Sequence, residues 1–436
     1  AFGPIHEYQI DQPSLCSPAS LSRLTNHKGN PIISVDRSLH IRCYVARGVK
    51  LDATYLPLHG RILPCLAHGS LIDATGAARD AKREGLAILR STFLRSTFEP
   101  NALILAPMRQ VGRERYGTAS VVTLRDVPVP EPGAGEVRVR VHGSSVNKGD
   151  RLVMSGTPYV MRLALGLKAP RTFGLGQDVA GVVSAVGEGV TAWKLGDAVF
   201  GELTLGEAWA DEVVAPADKL ARAPGNVPLV ESGSLAVAAL TAWQAVRDEG
   251  RVEPGDRVVV NGGSGSVGSY AVQLAKAVGA RVTAVVRAHH AERARMLGAE
   301  TVLDADSEDF TAVDEPYDVC IDVAGNIPMS RALRAVKPKG AYVVVGGPTD
   351  DPWLWPLLRP LVWMGRGALS SRRVAVFIAK PSPERLTELS EWVEAGRVAP
   401  LFDSRCTLDE LPRALAELES GQRHGKVLVE VNRRRV

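Results

Sequence analysis

The chain has 436 residues, 45% hydrophobic and 23% charged, with 52 basic against 48 acidic side chains and a net charge of +4. So small a charge over this length makes no basic field, which argues against a nucleic-acid or polyanion binder and for an ordinary globular protein. Five cysteines without CxxC or similar spacing offer neither a zinc cluster nor a disulfide framework, which suits a reducing, cytoplasmic setting. The longest apolar block, Trp353 to Met364, is interrupted by Pro356, Arg359 and Pro360, so no membrane span is expected.

Residues 1–107 lack Met and Trp and hold three of the cysteines, Cys16, Cys43 and Cys65. The apolar stretches Pro31–Val35 and Ile62–Leu66 stop before strand or helix periodicity is established, while Leu71–Phe98 has the Ala-, Arg- and Leu-rich composition of a helix. A transit peptide is poor in acids, and the acidic residues spread from Glu7 to Glu99 count against one. The expectation is a disordered or non-native extension, with Met108 as the natural start.

From Met108 the texture changes. Ser120–Thr123, Glu136–His142, Val179–Val186, Ala198–Phe200 and Asp211–Val214 are short strand candidates separated by Gly, Pro and Asp turns, which predicts a small, mostly antiparallel barrel-like domain over residues 108–228. Residues 229–380 alternate strands and helices. Arg257–Val260, Arg281–Val286, Thr301–Leu303, Asp318–Val323, Ala341–Val345 and Val374–Ala379 read as apolar strands, and Val267–Val278 and Ala291–Leu297 as helices. Short continuous apolar strands between helices point to a doubly wound parallel sheet, so the fold class is α/β with a second, mostly β domain. Leu386–Glu394 and Leu408–Leu418 read as helices and Lys426–Val431 as a strand, giving a segment 381–436 that returns to the first domain.

The most informative residues are Val258 to Gly268, VVVNGGSGSVG. A strand runs into Gly263-Ser264-Gly265-Ser266-Val267-Gly268 and a helix opens at once. Gly263 allows the tight turn, Gly265 lets backbone approach a diphosphate, and Gly268 lets the helix pack close to the sheet. The helix N-terminus adds unpaired N–H groups for the diphosphate. NAD enzymes commonly place an acid at the end of the following strand. Here Val286 is followed by Arg287, with His289 and His290 beyond, so a 2′-phosphate is favoured and the expected cofactor is NADP(H). A glycine turn without a ligand, and a solvated Arg287, are the plainer alternatives.

These motifs, with SSVNKGD (144–150), GQDVAGVVSAVGEGVTAWKLGDAVFG (176–201), LTAWQAV (240–246), YDVCIDVAGN (317–326) and GKVLVEV (425–431), resemble the medium-chain dehydrogenase/reductase superfamily in its zinc-free quinone oxidoreductase branch. The resemblance implies a GroES-like catalytic domain with a Rossmann nucleotide-binding domain inserted before the C-terminal return, and an active site in the cleft. Where zinc alcohol dehydrogenases of the superfamily place their catalytic ligands, this chain has Asn147, Gln177 and Val237, and Gly149 stands at the relay hydroxyl. An amide, an amide and an isopropyl group do not make a zinc site, so no metal is expected.

The resemblance makes Asn147 a cleft residue that donates to the nicotinamide or a substrate oxygen, with turn stabilisation as its plainer role. It suggests Tyr159 as a pocket residue and proton donor, although the Thr157-Pro158 spacing departs by one from the usual pattern. Lys148 replaces the usual proline of that loop, and Asp150, Gln177 and Asp178 read as structural. Thr241 and Gly346 are carried over as cofactor-side residues, with a helix-interior back-bond as the alternative for Thr241. The Trp-rich stretch 352–369 suits a substrate mouth, a subunit contact, a membrane surface or plain core. Val374–Ala379, as the last strand of its sheet, implies a homodimer through edge pairing.

The leading function is NADPH-dependent, zinc-independent hydride transfer to quinones or α,β-unsaturated carbonyls, small hydrophobic electrophiles that spread incoming charge over a conjugated system. The alternatives are an NADP-dependent carbonyl/alcohol oxidoreductase and a dinucleotide-binding structural or regulatory protein with little turnover.

Overall fold

The computed structural model describes residues 107–204, 206–346 and 370–431, together with four short strands nearer the start. Those strands form two antiparallel pairs, β1 (Ile32–Asp36) with β2 (His40–Tyr44) and β3 (Tyr55–Leu58) with β4 (Arg61–Pro64). Backbone contacts divide the chain into Ala1–Ala102 and Leu103–Val436. The expectations for the helix at Leu71–Phe98 and for the Trp-rich stretch 352–369 lie outside the described residues.

The second unit opens with an antiparallel pair, β5 (Met108–Arg113) and β6 (Val122–Val127). The long strand β7 (Glu136–Ser145) follows, burying Val137, Val139 and Val141 alternately, as the EVRVRV pattern requires of a sheet with one wet face. A short helix α1 (Lys148–Ser155) precedes β8 (Asp178–Val186), β9 (Ala198–Glu202), β10 (Glu212–Pro216) and β11 (Leu220–Arg222). Their valines pack with fully buried Trp209 into one core.

After helix α2 (Ala236–Trp243) comes the parallel sheet: β12 (Arg257–Asn261), α3 (Ser266–Val278), β13 (Arg281–Val286), α4 (Ala291–Met296), β14 (Thr301–Asp304), β15 (Tyr317–Asp322), α5 (Met329–Arg334), β16 (Val336–Val344) and β17 (Arg373–Val376). The order is β14-β13-β12-β15-β16-β17, every pair parallel. Successive residues face opposite cores. Val258 and Val260 join Tyr270, Ala271 and Leu274 of α3, whereas Val259 joins Cys320 and Tyr342. A sheet covered on both faces has no solvent side, which is why its strands read as unbroken apolar runs.

Helix α6 (Pro383–Glu394) buries Leu386, Leu389 and Val393 in the core shared with β12 and α3. The i, i+3, i+7 spacing of those residues gives α6 an apolar face, and that core also holds Ala180, Phe200 and Ala221 of β8, β9 and β11, so the helix packs where residues of both sheets meet. The return continues through β18 (Ser404–Thr407). Helix α7 (Leu411–Glu419) and β19 (Val427–Glu430) complete it. β19 runs antiparallel to β7 and parallel to β18, so the closing strand lies inside the first sheet, between its neighbours.

Candidate active site

The chain reverses direction across the parallel sheet at β12, building outward through β13 and β14 and then returning to lay β15 on the other side. Ligands of such sheets bind in the crevice beyond the carboxyl ends of the strands at this point. The glycine loop lies there. Gly262 takes φ +85° and, with Gly263, donates its N–H to the Val285 carbonyl at 3.1 Å, which ties the loop to the end of β13. A Cβ on Gly268 would fall 2.1 Å from the Gly262 carbonyl, and one on Gly263 would press Ala284 and Val286 at 3.1 and 3.3 Å. Gly265 differs. A Cβ there meets only the Gly262 oxygen, at an ordinary 3.4 Å, and the residue is exposed. The chain's own packing does not demand glycine at this point; an incoming ligand that touches backbone does. Gly265 is the N-cap of α3 and no side chain caps that helix, so half-buried Ser264, Ser266 and Val267 frame N–H groups suited to a diphosphate.

Beside the loop, β13 ends in Arg287, which is exposed, and a single turn carries His289 and His290. The two imidazoles lie 4.1 Å apart between centroids. Partial burial holds the His290 imidazole below its ordinary value, and His289, Arg293 and Arg287 add to that, with Asp403 opposing. Arg293, one turn into α4, is ion-paired with Asp403. Two acids border this turn: Asp304 at the end of β14, which accepts from the Ser307 hydroxyl at 2.7 Å and from the Ala288 N–H, and Asp403, which faces His290. The end of β13 is therefore a cluster of cationic and titratable nitrogens. Arg293 was not read from the sequence, although it lies only three residues beyond His290, at the start of the following helix.

On the other side of β12 the crevice floor is polar and fully satisfied. Asp322, buried at the end of β15, accepts from the Asn261 amide at 2.8 Å, the Gly325 N–H at 2.8 Å and the Tyr342 hydroxyl at 2.6 Å, and Asn261 also donates to Asn326. Gly346 follows β16 where a Cβ would fall 2.1 Å from the Val323 carbonyl, so glycine is required by the neighbouring strand. Thr241 donates its hydroxyl to the Val237 carbonyl at 2.6 Å within α2. That back-bond uses the proton and leaves the oxygen able to accept, so Thr241 can receive a hydrogen bond from a ligand amide but cannot give one.

The catalytic-domain side of the crevice is organised around Asp178, which has no exposure. One carboxylate oxygen accepts from the Val237 N–H at the start of α2 (2.6 Å); the other accepts from Asn147 Nδ2 (2.8 Å), from the Ser145 hydroxyl and from Lys426 Nζ (3.2 Å). Lys426, only 2% exposed, also donates to Asn147 Oδ1 at 2.7 Å. Asn147 is the N-cap of α1, and its own N–H donates to Asp150 at 2.7 Å. Both ends of the Asn147 amide are thus engaged within the protein. Lys426, the unread member of this network, was visible only as the second residue of the GKVLVEV strand.

Two buried carboxyls border this network. Burial pushes Asp150 up to about 7, aided by Asp178, and Glu202, opposite Asp178 across β8 and β9, is pushed up to about 7 by the same causes. Gly149 leaves space for the Gln177 amide, whose oxygen a Cβ would meet at 2.2 Å. Tyr159 sits in a different layer, 37% exposed, with the Arg162 guanidinium 4.7 Å from its ring centre. Thus the glycine loop, Arg287 and His290 are gathered at one end of the crevice, Thr241 and Gly346 line other parts of the same sheet-and-helix frame, and Tyr159 lies with Arg162 on the segment beyond α1.

Residues 133–248 match the alcohol dehydrogenase GroES-like domain, and residues 297–429 match the zinc-binding dehydrogenase domain. The chloroplast envelope quinone oxidoreductase homolog of Arabidopsis thaliana is 31% identical over 317 residues, covering 70% of this chain and 92% of that protein. The chain belongs to the medium-chain dehydrogenase/reductase superfamily, in its quinone oxidoreductase-like branch. A mitochondrial NAD(P)H oxidoreductase of Bos taurus is 30% identical over 335 residues, covering 68% of this chain and 82% of that one. The solved structure of the quinone oxidoreductase from Coxiella burnetii superposes with a TM-score of 0.66 at 27% identity, covering 74% of this chain and 99% of that one. The fold is thus the GroES-like domain joined to a Rossmann parallel sheet, and the protein is an oxidoreductase of a nicotinamide-dependent family.

Zinc members of this superfamily need a set of anionic or imidazole ligands around the metal. At the corresponding positions here Asn147 Oδ1 already receives a buried ammonium at 2.7 Å, Val237 has no donor atom, and Gln177 donates its Nε2 to the Thr204 carbonyl at 3.2 Å. An ammonium next to the first position repels a divalent cation, so these residues do not fit zinc.

Proposed function

We propose that this medium-chain dehydrogenase/reductase uses NADPH, without zinc, to reduce quinones or α,β-unsaturated carbonyls. The observation that carries the cofactor choice is the Arg287, His289, His290 and Arg293 cluster beside an uncapped, glycine-lined helix start. A guanidinium forks onto a phosphate in a way that a ribose hydroxyl cannot exploit. NADPH supplies the hydride when bound. The residues do the rest: the N–H groups of Ser266, Val267 and Gly268 receive the diphosphate, Arg287 and His290 the 2′-phosphate, and Thr241 accepts from the carboxamide.

In the Asn147–Asp178–Lys426 network the Asn147 and Lys426 donors are directed at partners inside the protein. On this reading the proton that follows hydride delivery is assigned to Tyr159, a ribose hydroxyl or water. The zinc-free reading rests on the donor set at Asn147, Gln177 and Val237, and it disfavours the carbonyl/alcohol oxidoreductase alternative, which lacks a Lewis acid here. The outer edge of β17 ends the described sheet, and pairing of that edge across a twofold is the basis for proposing a homodimer. Buried thiols at Cys320 and Cys406 suit a reducing compartment, for which the cytoplasm is proposed.

Steady-state NADPH oxidation with a panel of quinones, enals and enones tests the function. Acceptor-dependent oxidation that survives exhaustive chelation is expected. Tight NADPH binding without turnover on any acceptor would instead make the chain a dinucleotide-binding regulatory protein.

A further inference from the structure

Between α1 and β8 the chain makes a long excursion that carries, besides Tyr159, exposed apolar side chains to which no catalytic role is assigned. Leu163, in the short helix Arg162–Leu165, and Leu167, just past its Gly166 cap, are 65% and 68% exposed, and Ala164 and Ala169 are exposed beside them. Leu165, by contrast, points into the core at 7%. Residues 151–171 contain Arg151, Arg162, Lys168 and Arg171 and no acid at all. Exposed leucines within a basic, acid-free stretch of chain are the pattern of a surface that meets apolar material bordered by negative charge.

The excursion is also braced. The Arg162 guanidinium lies 4.4 Å from the Tyr116 ring centre and 4.7 Å from that of Tyr159, and donates to the Gly156 carbonyl at 3.0 Å. The Tyr116 hydroxyl donates to the Gly166 carbonyl at 2.6 Å, and Arg171 N–H to the Leu165 carbonyl at 2.8 Å. The two leucines are thus held outward by a built framework, with little ordering left to do on contact.

We propose that this face, centred on Leu163 and Leu167 and rimmed by Arg151, Lys168 and Arg171, docks the protein peripherally on an anionic lipid bilayer. Leucines enter the acyl boundary while the basic side chains meet lipid phosphates, and acyl burial and charge attraction reinforce each other. The excursion is rooted at both ends in the cleft floor, at Asn147–Asp150 and at Gln177–Asp178. On the quinone-reducing reading, on which this last step rests, docking brings the cleft to a bilayer in which apolar quinones dissolve.

Co-sedimentation of the full chain with phosphatidylcholine vesicles, with and without phosphatidylglycerol, tests the docking. Binding to the anionic vesicles alone is expected, weakening as salt is raised. Leu163→Asp with Leu167→Asp should weaken it by roughly tenfold or more, the scale of two leucine side chains left in water. Lys168→Glu with Arg171→Glu, surface changes that spare the apolar positions, should do the same. Both variants should keep the parent melting temperature and oxidise NADPH with a water-soluble benzoquinone within about twofold of the parent, a scale far below loss of a cofactor contact. Failure of the folded parent to sediment with anionic vesicles overturns the proposal, as does equal sedimentation of both variants. Conversion of a parent dimer to monomers by the leucine changes, without lipid, also overturns it and gives the face to a second copy. Sedimentation that follows the expected pattern in a protein that reduces no quinone upholds the docking and removes the quinone reading alone.

Discussion

At the scale of single residues, the cleft floor depends on an ion pair that the protein cannot hydrate. Lys426 is 2% exposed and Asp178 not at all. Removing one partner strands the other charge, so Lys426→Met is expected to lower the unfolding free energy by about 3–5 kcal/mol, and pairing it with Asp178→Asn to recover part of that loss. Urea unfolding of the two variants measures both effects. Arg287→Ala acts elsewhere, on the cofactor alone. NADPH should bind about tenfold less tightly with NADH unchanged, as read by fluorescence titration, because the lost contact is to the 2′-phosphate.

Asp150 has a signed pH dependence. Its carboxyl titrates near 3.8 when unfolded and about 7 when folded. Between these values the folded chain keeps a proton that the unfolded chain has released, so rising pH favours unfolding. This contribution to stability is intact below about pH 4 and is lost by about pH 7. Asp150→Asn should flatten that part of the stability–pH curve relative to the parent, and an unchanged slope would remove the assignment.

At the scale of elements, the glycine loop separates two reasons for a bare backbone. Gly268 is demanded by the protein, since a methyl group there would meet the Gly262 carbonyl at 2.1 Å; Gly265 is not, since the same oxygen would lie at an ordinary contact distance of 3.4 Å. Gly265→Ala is therefore expected to fold with near-parent stability while losing at least about tenfold in dinucleotide affinity, and Gly268→Ala to lose both affinity and stability. Calorimetric binding and thermal melts distinguish the two. These elements were legible in the sequence because their determinants are local. The strand at Arg281–Val286 and the helix following Gly265 are set by apolar spacing and helix-start chemistry over a dozen residues. Strand β5 was missed, since MRQVGR carries no clean alternation; its arginines are buried by distant partners, Arg109 by Asp211 and Asp409. The packing of α6 was unreadable for the same reason: its apolar face is plain in the sequence, but the surface it meets is not.

At the scale of the whole molecule, the last strand closes the first sheet. β19 is hydrogen-bonded on one side to β7 and on the other to β18, and it brings Lys426 beneath Asn147. A chain stopped at Gly421 loses an interior strand and the only buried ammonium among the described residues of that network. It is expected to be insoluble or protease-sensitive throughout residues 108–420, whereas a chain stopped at Val431 keeps the strand and should resist proteolysis like the parent. Equal resistance of both would refute the closing role of β19.

The amino-acid sequence alone determined the α/β architecture, the dinucleotide loop and the basic end of β13, because each depends on residues within one turn or one strand of each other. Only the tertiary structure decided what the Asn147 amide bonds to. It is locked by Lys426, 279 residues away along the chain, and by Asp178 across the sheet. No local spacing encodes a meeting between side chains so far apart in sequence; it exists once burial forces every charge and amide in the cleft floor to find a partner.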